Sequence, residues 1–137
     1  MIFVDTNVVS ETLRIKSAEP VLTWLARHDA ELALSSIVIA EIAFGINKIH
    51  PDQRALRLAA GLDEWRRRFA GRIFAFTEES ALIYGQIMGA AARSGRPMSA
   101  QDGMIAAIAR AHDSPLATRN GSDFAFAEIE IINPWGD

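Results

Sequence analysis

The chain of 137 residues has no cysteine, which excludes disulfide bonds, thiolate nucleophiles and zinc sites built on sulfur. It also has no long hydrophobic run. The longest apolar stretch, residues 37–46, is interrupted by Glu41, whereas a membrane-spanning helix needs about 20 apolar residues. No basic-then-apolar leader opens the chain, because Asp5 interrupts the first apolar run. These absences favour a cytosolic protein with no membrane segment.

Positive charge is also scarce, with 14 Lys and Arg against 17 Asp and Glu and a net charge of −3. This balance argues against a protein that holds nucleic acid by bulk positive charge. It leaves open an enzyme that contacts nucleic acid through a few arginines and a metal. Half of the residues are hydrophobic, and the length suits one domain, residues 1–137, with a hydrophobic core of its own.

Short β-branched or apolar runs alternate with longer helical patterns. This alternation predicts βαβ units, a mostly parallel sheet of four to five strands and helices on both of its faces. The predicted strands are Ile2–Val4, Glu31–Leu34, Arg72–Ala75, Pro115–Thr118 and Ile129–Ile132. Predicted helices follow the caps Asp5, Ser36, Thr77 and Ser99, and a further one covers Asp52–Phe69 with Pro51 at its start.

Two acids stand out in the first third of the chain. Asp5 follows the first strand directly, and its ordinary explanation is a cap for a short helix over Asn7–Leu13. Open α/β sheets, however, bind ligands beyond the carboxyl ends of their strands, where Asp5 would lie. Glu41 sits in a helix that is apolar nearly all round, so we expect the helix to be buried and Glu41 to be paired or bound to a metal.

Two further acids come late in the chain, and each also has a structural explanation. Asp102 fits the far end of a capping box that begins at Ser99, in the first turn of a helix rich in small apolar residues. Asp123 follows the Asn120-Gly121 turn signal, and Phe124 beside it suggests that the loop is pinned to the core. If the four carboxylates lie close together, their mutual repulsion has to be relieved by a cation bound among them. Oxygen ligands suit Mg²⁺ or Mn²⁺.

The order and setting of these acids resemble the PIN domain family. The resemblance rests on FVDTN at the start, on SSIVIAEIAFGI, on SAQDGMIAAIARA and on LATRNGSDF, and it covers the whole chain. More closely, the chain resembles the VapC-type, FitB-like toxin ribonucleases of bacterial type II toxin–antitoxin pairs. The resemblance implies a three-layer α/β/α sandwich and a metal-dependent endoribonuclease that cleaves RNA phosphodiesters with metal-activated water.

The resemblance also implies the roles of particular residues. Its four acidic positions fall on Asp5, Glu41, Asp102 and Asp123, which would be the catalytic residues and the ligands of Mg²⁺, with Mn²⁺ as a substitute. Asp5 and Asp102 would be the central ligands. The residues that would position water or substrate are Thr6, Asn7, Thr118, Asn120 and Arg119.

Phosphate contacts would come from arginines near the acids: Arg14, Arg93, Arg96 and Arg119. The run Arg66-Arg67-Arg68 is denser, but a solvated helix face is its simpler explanation. No aromatic residue interleaves with these arginines in the manner of a stacking platform.

The implied partners are an RNA substrate, a cognate antitoxin whose tail lies across the site, and a second copy of the chain. Contact with DNA would come only through the antitoxin. Phe44, Ile46, Leu82, Tyr84 and Ile87 are candidates for a dimer face, although core packing is the default explanation for each.

Three alternatives remain at the level of sequence. A PIN-like module could bind RNA or protein without catalysis, although the complete set of acids argues against it. A phosphatase of the haloacid dehalogenase type would place an aspartate two residues after the first, where this chain has Asn7. A receiver domain would place adjacent acids after the first strand and a lysine late in the chain, but the last lysine is Lys48.

Overall fold

The computed structural model describes residues 1–136; residue 137, the last of the predicted 1–137 domain, lies outside the described residues. Five strands form one sheet in the order β3-β2-β1-β4-β5, and all neighbouring pairs are parallel. The strands are β1 Ile2–Val4, β2 Leu32–Ser35, β3 Ile73–Phe74, β4 Leu116–Ala117 and β5 Ile131–Ile132. The prediction of an α/β fold with a parallel sheet of four to five strands is confirmed.

Both faces of the sheet are covered. Every residue of β1 and β2 is buried, although successive side chains in a strand point to opposite faces. Both faces of a parallel sheet are buried when helices cover both sides, and the crossover connections between parallel strands place helices on those sides. The described part of the chain therefore has the predicted three layers.

In residues 1–136, six α-helices flank the sheet: α1 Thr6–Thr12, α2 Glu19–His28, α3 Ser36–Lys48, α4 Gln53–Arg68, α5 Glu78–Arg93 and α6 Ala100–Ala111. Short 3-10 turns cover Asp29–Glu31 and Gly121–Phe124. Two of the predicted caps are confirmed by hydrogen bonds. The Thr77 hydroxyl accepts from the Ser80 N–H at 3.1 Å, and the Ser99 hydroxyl accepts from the Asp102 N–H at 3.1 Å.

Other boundaries differ from the predictions. The cap of α3 is Ser35, not Ser36, because the Ser35 hydroxyl accepts from the Val38 N–H at 3.2 Å while its backbone is still extended. Asp52 caps α4, so Pro51 precedes the cap instead of starting the helix. Helix α2 was not predicted, although Pro20 in its first turn and basic residues in its last turn are typical helix signals.

The expectation that α3 is buried all round is wrong. Only Val38 and Ile42 of this helix are buried, whereas 67% of Phe44 is exposed. Helix α3 lies over β2 and packs against α1, α4 and α6, which leaves an outer face to solvent. Glu41 is half-buried beside that face. Within residues 1–136 no helix combines the length and the apolar character that crossing a bilayer requires.

Helix α6 is the tightly packed helix that its small residues predicted. Its residues 105–109 are all buried, and it makes its closest packing with α5. At Gly103 a Cβ atom would lie 2.5 Å from the Met88 sulfur and 3.0 Å from the Tyr84 ring, so only glycine fits there without movement. This close approach fixes the start of α6, which carries Asp102.

Candidate active site

Asp5 lies at the carboxyl end of β1, the central strand of the sheet, and is 5% exposed. It has both of the roles considered from the sequence. As the cap of α1, its carboxylate accepts from the Thr6 N–H at 2.8 Å. At the sheet edge, it accepts from the hydroxyl of Thr118, which follows the neighbouring strand β4, at 2.7 Å. Capping α1 therefore leaves the Asp5 carboxylate able to accept further hydrogen bonds, since each oxygen can accept more than one.

A polar network ties this edge of the sheet together. The Asn7 amide donates to the Thr118 hydroxyl at 3.1 Å and to Asp5 at 3.4 Å. The Asn120 N–H also donates to the Thr118 hydroxyl at 3.1 Å, and the Arg119 N–H donates to the Asn7 side-chain oxygen at 3.4 Å. The predicted positioning residues after β1 and after β4 thus contact one another and orient Asp5.

Glu41 reaches the same region from α3. The Thr6 hydroxyl donates to Glu41 Oε1 at 2.5 Å, so the residue that follows Asp5 also holds Glu41. Half-burial leaves the rest of this carboxylate accessible to solvent or a ligand.

Asp102 and Asp123 line a small cleft of about 210 Å³. Asp102 is held by the first turn of α6, and Asp123 is exposed on the 3-10 turn Gly121–Phe124. Phe124 is 3% exposed, so the expected pinning of this turn to the core is confirmed. The cleft is completed by Arg96, Pro97, Met98, Ser99, Ser122 and Phe126. Nothing in the local sequence marked Ser122 or Phe126 as part of the site.

The electrostatics show that the four acids share one region. Burial is the main cause that raises the pKa of Asp5, and the charges of Glu41 and Asp123 raise it further, against hydrogen bonds from Thr118 and Thr6. Burial, followed by the charge of Asp5, raises the pKa of Asp102 to about 6. Asp123 and Glu41 add to that rise, and a hydrogen bond with Ser99 opposes it. Among residues 1–136, no basic side chain is one of the causes that shift the pKa of Asp5 or Asp102.

The donors fit a hard divalent cation in their chemistry. All are carboxylate or hydroxyl oxygens, the ligands preferred by Mg²⁺ and Mn²⁺, and the uncompensated negative charge favours a cation. Between residues 1 and 136, however, no three carboxylate or imidazole groups are drawn together closely enough to hold an ion by themselves. A bound cation would therefore need small side-chain adjustments or water in its shell. Mg²⁺ commonly keeps several waters.

Two arginines near the acids lie over aromatic rings that come from other parts of the sequence. The Arg96 guanidinium is 5.8 Å from the centre of Phe126, and that of Arg119 is 4.9 Å from the centre of Trp135. The rings are 30 and 16 residues away along the chain, so these contacts do not contradict the prediction that no aromatic residue interleaves with the arginines as a stacking platform.

The arginine run on α4 is different. Arg66, Arg67 and Arg68 form surface ion pairs with Asp63, Glu64 and Asp29, respectively. The solvated helix face predicted for them is confirmed.

The fold and the site define an α/β protein with a parallel sheet and with carboxylates gathered beyond its central strand, where open α/β sheets bind their ligands. The sequence model of the PIN domain matches residues 2–130. The chain belongs to the PIN domain family.

Similar proteins are known within this family. Toxin FitB of Neisseria gonorrhoeae is 39% identical, with all of both chains covered. VapC ribonuclease Y4jK of Sinorhizobium fredii is 37% identical over 98% of each chain. The solved structure of FitAB bound to the IR36 DNA fragment superposes with a TM-score of 0.90 at 37% identity, covering 100% of this chain and 97% of that one. The predicted resemblance to FitB-like, VapC-type toxins is confirmed.

Proposed function

We propose that this protein is a metal-dependent endoribonuclease and the toxin of a type II toxin–antitoxin pair. The names of its relatives, a toxin and a ribonuclease, support this function. The observation that carries it is the grouping of four acids at one sheet edge: the charges of Glu41 and Asp123 raise the pKa of both Asp5 and Asp102, and within residues 1–136 no basic side chain lowers either one. A site of this kind favours a cation that would bridge to an RNA phosphate.

The cation would be Mg²⁺, with Mn²⁺ as a substitute; when bound, it neutralises charge on the scissile phosphate and activates water. Asp5 and Asp102 hold it. Asp5 is kept in place by Thr118 and the Thr6 N–H, so it needs little reorganisation on binding. Glu41, positioned by the Thr6 hydroxyl, completes the shell or accepts the proton of the attacking water.

The remaining residues orient the substrate. Asp123, on the exposed turn, holds a second or weaker cation. Asn7, Asn120 and Thr118 direct hydrogen bonds toward water or phosphate at the edge of the sheet, and Arg119 stands beside them. The oxygen of water would add to phosphorus as its proton passes to Glu41, the P–O bond to the leaving nucleotide would break, and the leaving oxygen would take a proton from solvent.

The proposed partners follow from the same role. The similar FitAB structure contains bound DNA, which supports a partner protein that acts as antitoxin and supplies the contact with DNA. A homodimer would use exposed apolar side chains; Leu82 is 70% and Phe44 67% exposed, whereas Ile87 is fully buried and is a core residue. We place the protein in the cytoplasm because its RNA substrate is there, and we regard residues 1–137 as one domain.

The test is cleavage of structured tRNA and of a random-sequence single-stranded RNA by the purified protein. We expect cleavage with Mg²⁺ or Mn²⁺, none with EDTA, and a loss of at least about 100-fold in Asp5→Asn. The asparagine oxygen can still accept from the Thr6 N–H, but its amide nitrogen cannot accept from the Thr118 hydroxyl as the second Asp5 oxygen does, so circular dichroism checks that the fold remains. Asp63→Asn, which changes a surface acid on α4, is the matched control and should cleave normally. Cleavage that persists in EDTA, or in Asp5→Asn, contradicts the metal site.

A further inference from the structure

Arg96 lines the same small cleft as Asp102 and Asp123, yet it forms no ion pair with either. Among the described residues its guanidinium also has no hydrogen-bond partner, although Asp102, Asp123 and the Phe126 ring line the same cleft. An arginine carries five N–H donors that match the oxygens of a phosphate. A cleft with two acids and an unpaired guanidinium can hold a cation and an anion side by side.

The backbone that carries Arg96 is fixed. Helix α5 ends in a Schellman motif: the Gly95 N–H donates to the Ala92 carbonyl at 3.1 Å, and the Arg96 N–H donates to the Ala91 carbonyl at 3.1 Å. Gly95 has a φ of +70°, which only glycine adopts without strain. Pro97 then limits the backbone of Arg96 to extended conformations. The backbone that presents the arginine side chain is therefore held by local hydrogen bonds and by the conformations that Gly95 and Pro97 impose.

The Phe126 ring restricts the side chain itself. A guanidinium 5.8 Å from an aromatic centre gains a weak cation–π attraction, which biases its orientation without using any N–H donor. An ion pair with Asp102 or Asp123 would have oriented it too, but would have used those donors. The ring thus keeps Arg96 at the cleft and leaves its hydrogen-bonding capacity for a ligand.

We propose that Arg96 binds a backbone phosphate of the RNA at the Asp102–Asp123 end of the site, and that Phe126 acts as a positioning residue for it. This inference rests on the proposed ribonuclease function. Other arginines fit less well. Arg14 is paired with Glu11, and Arg66, Arg67 and Arg68 are paired with Asp63, Glu64 and Asp29. Arg93 and Arg119 do not line the Asp102–Asp123 cleft. Arg96 is therefore the arginine placed to contact a phosphate at this end of the site.

The direct test measures binding of a fluorescein-labelled, random-sequence 20-nucleotide RNA by anisotropy in EDTA, where cleavage is not expected, at several salt concentrations. We expect Arg96→Gln to weaken binding about tenfold, since hydrogen bonds to charged groups are among the stronger ones. The slope of log affinity against log salt should become shallower by about 0.7, the value for one phosphate contact on a single strand. Arg96→Lys, which keeps the charge but not the paired donors, should retain the slope and lose part of the affinity. Phe126→Leu should give a smaller loss.

Arg66→Gln is the matched control, because it removes one positive charge from a helix face outside the cleft. Equal losses in Arg66→Gln and Arg96→Gln would mean that only total charge matters, and would overturn the proposal.

In the cleavage assay, Arg96→Gln should raise KM with little change in kcat, as expected for a contact made equally before and during the reaction. If wild type cleaves RNA but Arg96→Gln keeps its affinity and salt slope, the role of Arg96 is wrong and the ribonuclease function stands. If wild type binds but does not cleave, the function fails while the binding data still decide on Arg96. A wild type that neither binds nor cleaves overturns both.

Discussion

Asp102→Asn should make the metal-free protein more stable at neutral pH, although it removes a residue of the proposed site. The folded-state pKa of Asp102 is raised from its ordinary 3.8 to about 6. The folded protein therefore binds this proton more tightly than the unfolded chain does, and stability falls as pH rises from about 4 to about 6. Above about pH 6 the ionised Asp102 carboxylate lowers the stability of the folded protein by the full amount, and below about pH 4 it does not lower it.

The size of the effect follows from the same numbers. A pKa that moves from 3.8 to about 6 corresponds to a ceiling of roughly 3 kcal/mol. Asp102 is only half-buried, so solvent screening reduces this to about 1–1.5 kcal/mol. Asparagine keeps the shape of the side chain and stays neutral at every pH, so the variant should gain this amount at pH 7.5 and clearly less at pH 4.5, which lies inside the titration window.

Urea unfolding in EDTA at the two pH values measures this difference. The control is Asp63→Asn, which loses one exposed ion pair with Arg66, worth less than about 1 kcal/mol and little changed between the two pH values. If the free energies of unfolding of wild type and Asp102→Asn differ equally at pH 4.5 and 7.5, the carboxylate is not destabilised by its surroundings. The electrostatic basis of the site would then be wrong.

Two further predictions concern the metal and the packing of α6. Mn²⁺ should raise the melting temperature of wild type more than that of Asp102→Asn, because a cation relieves repulsion that the variant no longer has; equal shifts would remove Asp102 from the site. In urea unfolding, Gly103→Ala should destabilise the fold by about 1–3 kcal/mol, because the added Cβ would lie 2.5 Å from the Met88 sulfur. The control is Gly45→Ala, which should be neutral or slightly stabilising because the added Cβ would have no atom within 4 Å.

The parts of the fold that local chemistry determines were predictable from the sequence. β1 has the predicted bounds, and the caps Thr77 and Ser99 were identified because a cap needs only a side-chain oxygen and N–H groups two or three residues later. The strand-to-helix alternation also indicated which ends of the strands would face the site, so Asp5 could be placed at that edge before any contact was known. The position of Thr118 in the site was implied only by the resemblance to the PIN domain.

Features that depend on distant contacts could not be predicted in this way. The surface position of α3 depends on which helices pack beside it, so an apolar sequence alone suggested too much burial for Glu41. The pairing of Arg96 with Phe126 joins residues 30 positions apart that come together only when the turn Gly121–Phe124 docks on α6. No local sequence pattern indicates that Arg96 and Phe126 lie close together in the folded protein. The roles of the four acids also remain proposals that mutation and metal binding must test.

The hydrogen bond between Thr118 and Asp5 has a consequence for the timing of synthesis. It joins residues 113 positions apart, and β1 lies between β2 and β4 in the sheet. Ribosomes add about 5–20 residues per second, so roughly 6–20 seconds pass between the translation of Asp5 and that of Thr118. Until β4 is made and docked, Asp5 lacks its partner and the central strand lacks one neighbour. A growing chain therefore cannot form the complete site, and its activity would begin only after most of the protein has left the ribosome.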